Sequence, residues 1–597
     1  MNGMPGAKKG QSGAEKLPSK RRKAVIIRLG AYLGEMKVPL IFIGIVVVAG
    51  NLIGLVGPKL TEPAINAIKP GNVDIDTVFY YFKLMLICYA VSALLSLIQS
   101  VAMTTVSKRI TFNIRRDLFN RLSRFPVKFF DQHQSGEIIS TMSYDVDTVS
   151  VSLSTDLIQI CTAAITVTGS FIMMLTISRV LVLVFVVTIP ISILFSRWRA
   201  KKVRPLFRER SGKLGEMNGF AEESIGGLRT VKAYNREAQF IDRFEEKNKA
   251  AIDAYYNADY AACLNGPSVN FINNISLALV SLFGVLLYIY NPEIMNPGAI
   301  SAFVLYSRKF SGPINEITNI YSEIQSALAA GERVFRLMDE PLETPDTPNA
   351  VTSPVVFGEV EFEHVKFGYS EDKTIIHDLN LKVKPGSVIA IVGPTGAGKT
   401  TIVNLLMRFY DVNEGSIKID GVDIRNRSRK IMRQAFTMVL QDTWLFGGTV
   451  YENIAYGSEG VTEQQVKDAA KAAKINGFIE SLPRGYDTMI TDNGTNISKG
   501  QKQLLTIARA MLPRSVILIL DEATSNVDTR TEAYISDAMC SLMEGKTCFV
   551  IAHRLSTIRN ADMILVVKDG DIVESGRHEE LLKLGGAYAE MYYSQYN

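Results

Sequence analysis

The chain has 597 residues, of which 47% are hydrophobic and 21% charged, and a formal net charge of +5. That length exceeds what one hydrophobic core organises, so two or more domains are expected, and the mixture fits a mosaic of membrane-embedded and water-soluble parts. So small a net charge gives no reason to expect nucleic acid as a partner.

The first element is a basic tail, residues 1–24, with Lys8, Lys9, Lys16, Lys20, Arg21, Arg22 and Lys23; Arg28 and Lys37 follow before the first long apolar run. A cleaved leader also begins basic, but its apolar stretch is shorter and ends at a small-residue site. Here Val38 to Val56 supplies 19 residues. As a helix they cover roughly 29 Å, against a hydrocarbon core of about 30 Å. Further apolar runs lie at Leu84 to Met103, Leu157 to Ile177, Val180 to Phe195 and Ile275 to Tyr290. A sixth, from near Ala299, is weakened by Arg308 and Lys309. The connections richest in arginine and lysine, around Lys108 to Arg124 and Arg197 to Arg210, belong on the cytoplasmic side. With a basic cytoplasmic N-terminus, six crossings return the chain to the cytoplasm. Both basic connections are long and rich in helix formers, which predicts membrane helices that continue into the cytoplasm as amphipathic rods. The transmembrane domain is thus residues 25–338, and Pro341, Pro345, Pro348 and Pro354 punctuate a linker over 339–354.

From residue 355 to 597 the texture changes to short β-branched runs, among them Ile389 to Val392, Val516 to Leu520 and Cys548 to Ile551. They read as buried strands alternating with helices, an α/β domain. Ile389 to Val392 leads directly into Gly393, Pro394, Thr395, Gly396, Ala397, Gly398, Lys399 and Thr400, and Thr401 begins a helical stretch. Strand, glycine loop and helix form the context of a P-loop: backbone N–H groups face phosphate, Lys399 neutralises it and Thr400 ligates Mg2+. Val516 to Leu520 ends in Asp521 and Glu522. Asp521 is placed to hold hydrated magnesium and Glu522 to polarise the attacking water. His553, just after another buried strand, is a candidate to contact the γ-phosphate or orient that water, with a structural histidine as the alternative. The five cysteines, Cys88, Cys161, Cys263, Cys540 and Cys548, form no close-spaced ligand pattern and read as thiols facing lipid or core.

Between the glycine loop and the paired acids stands Ser498-Lys499-Gly500-Gln501. With the motifs in this order, the soluble half resembles the nucleotide-binding domain of ATP-binding cassette proteins. The membrane half, through Phe125 to Asp131, Gly136 and Asp145 and through Asn218 to Tyr234, resembles the coupling loops of half-transporters of the type IV exporter group. The resemblance implies an α-helical six-span transmembrane domain with long intracellular helices, followed by an α/β P-loop nucleotide-binding domain. It implies that Tyr369 stacks on adenine, that Gln441 touches Mg2+ and senses the membrane domain, and that Ser498, Gly500 and Gln501 form the signature. Ser525 to Asp528 would be the D-loop and His553 the switch histidine.

In that family one domain's signature closes another's P-loop, so a single copy of each motif implies a dimer. Lys499 stands where the family has glycine, and Thr491 to Asn496 lacks the usual acidic residues. A second, different half-transporter as partner is therefore expected, with a homodimer as the alternative. The expected activity is ATP-driven export of a small amphiphile, whether drug, lipid or peptide, across the cell membrane. An ATP-gated channel or sensor is the alternative. Asn270, Asn273, Asn274, Arg308 and Lys309 are pathway candidates, the last two against an anionic substrate group; snorkelling or pairing with an acid is the other account.

Overall fold

The computed structural model describes residues 19–597 except 70–71, 293–294, 371–372, 442, 492–496, 522–527, 553–557 and 597, with the backbone alone at 72, 265, 314–319, 529 and 595–596. The chain forms two compact units, Met1–Arg124 with Gln134–Pro341, and Phe125–His133 with Leu342–Asn597.

The first unit is all helix except for a two-stranded ribbon at Ile68–Lys69 and Asn72–Val73. Its helices are α1 (Ser19–Gly34), α2 (Lys37–Asn66) and α3 (Ile75–Leu122), then, beyond a short α4 (Val127–Gln132) that belongs to the second unit, α5 (Ser135–Ile177) and α6 (Arg179–Gly226). There follow α7 (Leu228–Ala233), α8 (Glu237–Cys263), α9 (Asn265–Tyr290) and α10 (Pro297–Met338). Helix α1 starts inside the stretch read as a basic tail. Among the described residues five helical segments are long and apolar enough to cross a membrane: α2, α3, α5, α6 and the run of α8 into α9. Helix α10 has 42 residues, but it is not among these five. Arg308 and Lys309 dilute its apolar part. Helices α3 and α6 each have 48 residues. At 1.5 Å per residue that is about 72 Å, more than twice the hydrocarbon thickness, so both helices are long enough to run well beyond a bilayer, as the rods require.

Local chemistry fixes the helix starts. The Asp74 carboxylate accepts from the Thr77 N–H at 3.1 Å, and the Asn296 side chain accepts from the Ala299 N–H at 2.7 Å with Pro297 at the first helical position. Helix α2 contains Pro58, which has no N–H for the carbonyl of Gly54. Helix α10 repairs the gap. Lys309 Nζ donates to the Gly54 carbonyl and the Tyr306 hydroxyl to the Leu55 carbonyl, both at 2.6 Å. Nearer the cytoplasmic ends, Val47, Met103, Ile110, Leu118, Val146 and Leu328 share a buried cluster that ties α2, α3, α5 and α10 together. Asp145, in a π-helical turn of α5, is held bidentately by Arg333 of α10 at 2.9 and 2.5 Å.

The second unit is built on two sheets. An antiparallel sheet takes β1 (Val360–Phe367), β2 (Ile376–Val383), β4 (Glu414–Ile419) and β5 (Val422–Asp423), in the order β2-β1-β4-β5. The other comprises β3 (Val388–Val392), β6 (Phe436–Val439), β7 (Ile517–Asp521), β8 (Thr547–Ile551), β9 (Met563–Lys568) and β10 (Asp571–Gly576), in the order β10-β9-β3-β8-β7-β6. From β9 to β6 it is parallel, and β10 closes one edge antiparallel. Both faces are covered, which explains the unbroken apolar runs. Ile389, Ile391, Ile517, Ile519 and Phe549 point into one core, and Ala390, Val392, Leu518, Leu520 and Val550 into the other.

The stretch read as a linker is tied to this unit from Leu342 onward: Glu343 pairs with Arg433 at 2.5 Å, and Asp346 accepts from the Arg429 N–H at 3.2 Å. Helix α4 also belongs here. The Tyr410 hydroxyl donates to the Asp131 carboxylate at 2.5 Å, and Phe129 is buried. All five cysteines are free thiols. The expectation that they face lipid or core fails at Cys540, which is exposed on the soluble unit; Cys548 fits it, and its burial pushes the thiol pKa up to about 12.

Candidate functional site

Parallel strands place side chains of distant sequence along one edge. Val439, Leu520, Val550 and Ala390 lie side by side across β6, β7, β8 and β3, and the next row holds Asp521, Ile551 and Ile391. Just beyond those rows come Gln441 and Gly393. The shared carboxyl edge of an open parallel sheet is where such folds bind ligands. Glu522, His553 and Ser525 to Val527 lie outside the described residues; Asp528 is described and caps α15 (Thr529–Met543), accepting from the Thr531 N–H at 2.9 Å.

The loop after β3 turns sharply into α11 (Lys399–Leu406). Gly398 sits at φ 104° as its N-cap, and a Cβ on Gly393, at φ 150°, would lie 2.1 Å from the Val567 carbonyl oxygen. Both positions need glycine for these reasons. Lys399 Nζ bridges the loop, donating to the carbonyls of Gly393 at 2.8 Å and Pro394 at 2.9 Å. Burial holds its pKa below the ordinary lysine value, and the nearby charge of Asp521 pulls the other way. Thr400 is exposed at the start of α11, whereas the Thr401 side chain is buried and turned to the Tyr369 hydroxyl at 3.2 Å. Thr401 therefore offers the loop only its backbone N–H.

Tyr369 is half-exposed and braced on three sides. Its hydroxyl meets Thr401 and accepts from Asn404 Nδ2 at 3.3 Å, and its ring lies edge-on to Phe367 and Tyr410, with centroids 5.0 and 4.9 Å away. Burial and the Asp131 carboxylate both push the Tyr410 phenol above its ordinary pKa. The Asp131–Tyr410–Tyr369 chain was not read from the sequence. Its hydrogen-bonded members are 279 positions apart, and a single sequence carries no trace of such a pairing.

Among the helices that precede α14 (Lys499–Met511), which starts at the Ser498 peptide, are α12 (Val450–Ala455) and α13 (Glu463–Ala472). Ser498 Oγ accepts from the Gln501 N–H at 3.3 Å and Gln501 Oε1 from the Ser498 N–H at 3.0 Å, a reciprocal capping box. Gly500 is buried, and Lys499 is exposed at the first helical position, where the helix dipole disfavours a cation. Among the described residues no hydrogen bond joins Ser498, Gly500 or Gln501 to the glycine loop. One unit thus brings together Tyr369, Lys399, Thr401 and Asp521, with exposed Gln441 on the same edge, while the Ser498 peptide heads a separate helix. The loop N–H groups, the α11 N-terminus and Lys399 are suited to a phosphate chain.

Comparison with known proteins agrees with this geometry. Residues 40–314 match the ABC transporter transmembrane region family, and residues 376–525 match the ABC transporter family. The chain is 41% identical over 587 residues, 98% of its length and 97% of the relative's, to an uncharacterized ABC transporter ATP-binding protein of Bacillus subtilis. It is 42% identical over 526 residues (88% and 83%) to a fatty acid ABC transporter ATP-binding/permease protein of Mycobacterium bovis. An ATP-dependent lipid A-core flippase of Methylobacillus flagellatus is 38% identical over 515 residues (85% and 86%). The fold matches the structure of a bacterial Atm1-family ABC exporter with ATP bound at a TM-score of 0.77 and 31% identity, over 94% of this chain and 99% of the other.

Proposed function

Because this chain belongs to the ABC transporter family, we propose that it is one half of a dimeric exporter whose cargo is an amphiphile of the fatty-acid or lipid class. It is an ATPase coupled to transport, and a multi-pass membrane protein with its nucleotide-binding unit in the cytoplasm. The observation that carries the reading is the fusion of long membrane helices to a single glycine-loop edge. The names of the mycobacterial and Methylobacillus relatives support the substrate class, and the basic cytoplasmic connections support α10 as a sixth crossing.

On this reading Tyr369 stacks on adenine, while Lys399 and the N–H groups from Gly393 to Thr401 hold the triphosphate. Thr400, Gln441 and Asp521 offer only oxygen donors, the set that suits Mg2+, and Asp521 stands close enough to Lys399 for their charges to interact. Bound there, magnesium would neutralise charge between the β- and γ-phosphates. Glu522 takes the proton of the attacking water, and His553 orients the γ-phosphate. Ser498 and Gly500 act on the site of the other half, so binding draws two nucleotide-binding units together and hydrolysis releases them. With Tyr369→Ala, ATP is expected to bind about 5- to 100-fold more weakly, since base–aromatic stacking is worth roughly 1–3 kcal/mol. Titration with a fluorescent ATP analogue reads this directly.

The partner we propose is a different half-transporter. Lys499 at the start of α14 sets a charged side chain where a close approach to phosphate is needed, while the acids after β7 are complete in sequence. The hydrolytic site would then be this chain's glycine loop closed by a partner's signature. Purified alone, the chain is expected to show little ATPase activity, and to gain it together with the proper second half. Vigorous, amphiphile-stimulated turnover by the chain alone would overturn the heterodimer. ATP-dependent accumulation of a labelled fatty acid in inverted vesicles tests export itself, and its absence with the assembled pair would overturn the substrate class.

A further inference from the structure

We propose that Lys309 is the anchor for an anionic head group, carboxylate or phosphate, in a polar cavity inside the membrane helices of the first unit. This rests on the reading of the chain as an exporter of amphiphiles. The cavity has a volume of about 350 Å³ and lies among α2, α3, α5 and α10, lined by Asn51, Ser92, Gln99, Gln159, Thr162 and Lys309. Polar walls are unusual in a lipid-spanning bundle, where leucine and valine cost nothing to bury.

Gly54 is 12 residues before the end of α2 at Asn66, and Lys309 is 12 residues after the start of α10 at Pro297. Each is about 18 Å from the outer helix end, and Gly54 lies two residues inside the outer end of the apolar run Val38 to Val56. The bond to the Gly54 carbonyl turns the ammonium across to α2 and into the bundle, so snorkelling outward is not the arrangement the structure shows. Among the described residues no carboxylate lies within 4.0 Å of Lys309. Glu62, two turns along α2 from Gly54, is paired with Lys59 at 2.7 Å.

The bond from Lys309 to the Gly54 carbonyl accounts for one of its three N–H donors and repairs the gap at Pro58. The Tyr89 ring lies 6.0 Å from the ammonium, at the outer limit of a cation–π contact. A carbonyl dipole satisfies a hydrogen bond but leaves a full positive charge, and a glutamine at this position would mend the helix equally well. The charge therefore asks for an anion, and two donors remain for its oxygens. Asn51, Ser92, Gln99 and Thr162 offer further hydrogen-bonding groups around the same space. The tail of such a ligand would leave the cavity toward the apolar helix faces.

The test uses the full-length protein in nanodiscs without nucleotide, and three fluorescent probes with one tail: a fatty acid, its methyl ester and a lysophosphatidic acid. Lys309→Gln keeps an N–H donor for Gly54 but removes the charge. It is expected to weaken binding of an acidic probe about ten- to hundredfold, the range of a charged hydrogen bond, and to leave the ester unchanged. Lys309→Arg should preserve preference for the acids. The acid that loses more in Lys309→Gln identifies carboxylate or phosphate as the group recognised. Equal losses for acid and ester, or no loss, would overturn the assignment. If Lys309→Gln unfolds, Pro58→Ala combined with it restores the backbone donor to Gly54 and permits the same measurement. Lys83→Gln, at an exposed lysine of α3, controls for general charge. Vesicle transport separates the two readings. Lys309-dependent binding without ATP-driven movement leaves this assignment standing and fails export, whereas undiminished export of acids by Lys309→Gln does the reverse.

Discussion

Replacing Lys399 with alanine is expected to raise the ATP concentration for half-saturation about 10- to 100-fold, because a hydrogen bond to a charged group is worth roughly 1.5–3 kcal/mol. Hydrolysis should fall with it, since the same ammonium balances charge on the phosphates throughout the reaction. The geometry sharpens the expectation. Lys399 already lies across the loop on the carbonyls of Gly393 and Pro394, so a phosphate entering this cradle meets a cation held close to where it is needed. The variant also removes a brace within the loop. Thermal unfolding without nucleotide would show whether the change reaches beyond binding. Unaltered ATP affinity in a well-folded variant would rule out the role given to Lys399.

Glu522→Gln should separate the two halves of the cycle. Loss of a general base costs about 10²- to 10⁴-fold in turnover, while the amide leaves the loop, Lys399 and Tyr369 able to bind ATP. The expected result is an assembly that closes on ATP and stays closed. Steady-state phosphate release would fall to background, and crosslinking between the two nucleotide-binding units would persist. Turnover at the normal rate would rule out Glu522 as the base. A failure of crosslinking would instead mean that the substitution disturbs closure.

Much of this site is legible in sequence because its parts are local. A glycine loop between a β-branched run and a helix needs only neighbouring residues, and its strand, loop and helix appear at Val388–Val392 and Lys399–Leu406. The capping box at Ser498 and Gln501 is local in the same sense: three residues separate the reciprocal partners. Hydropathy marks five membrane segments in the sequence, as it does among the described helices, and leaves α10 outside them, because Arg308 and Lys309 interrupt it where its partner helix carries a proline. Nothing near Lys309 in the sequence points to Pro58. Their link is a three-dimensional fact, a donor supplied across 255 positions to the carbonyl that Pro58 leaves unpaired. The same holds for the start of the soluble unit. Four prolines from Pro341 read as a linker, whereas Glu343 pairs with Arg433, 90 positions away, and Asp346 accepts from the Arg429 backbone N–H, 83 positions away.

The hydrogen bond from Tyr410 to Asp131 changes what counts as the soluble half of this molecule. A fragment cut at Leu342 would carry the glycine loop, both sheets and the Ser498 helix, yet leave behind Phe125–His133, a piece of its own structure. Tyr410 would lose its acceptor in that fragment, and the seat of buried Phe129 would open to water. Kinetics measured on the isolated ATPase would therefore describe a protein with a wound beside Tyr369, the residue proposed to stack on the base. Inheritance has the same problem. A recombination event that exchanged ATPase halves between two such chains would have to import Phe125–His133 from upstream as well, or join an aromatic socket to a plug shaped for another.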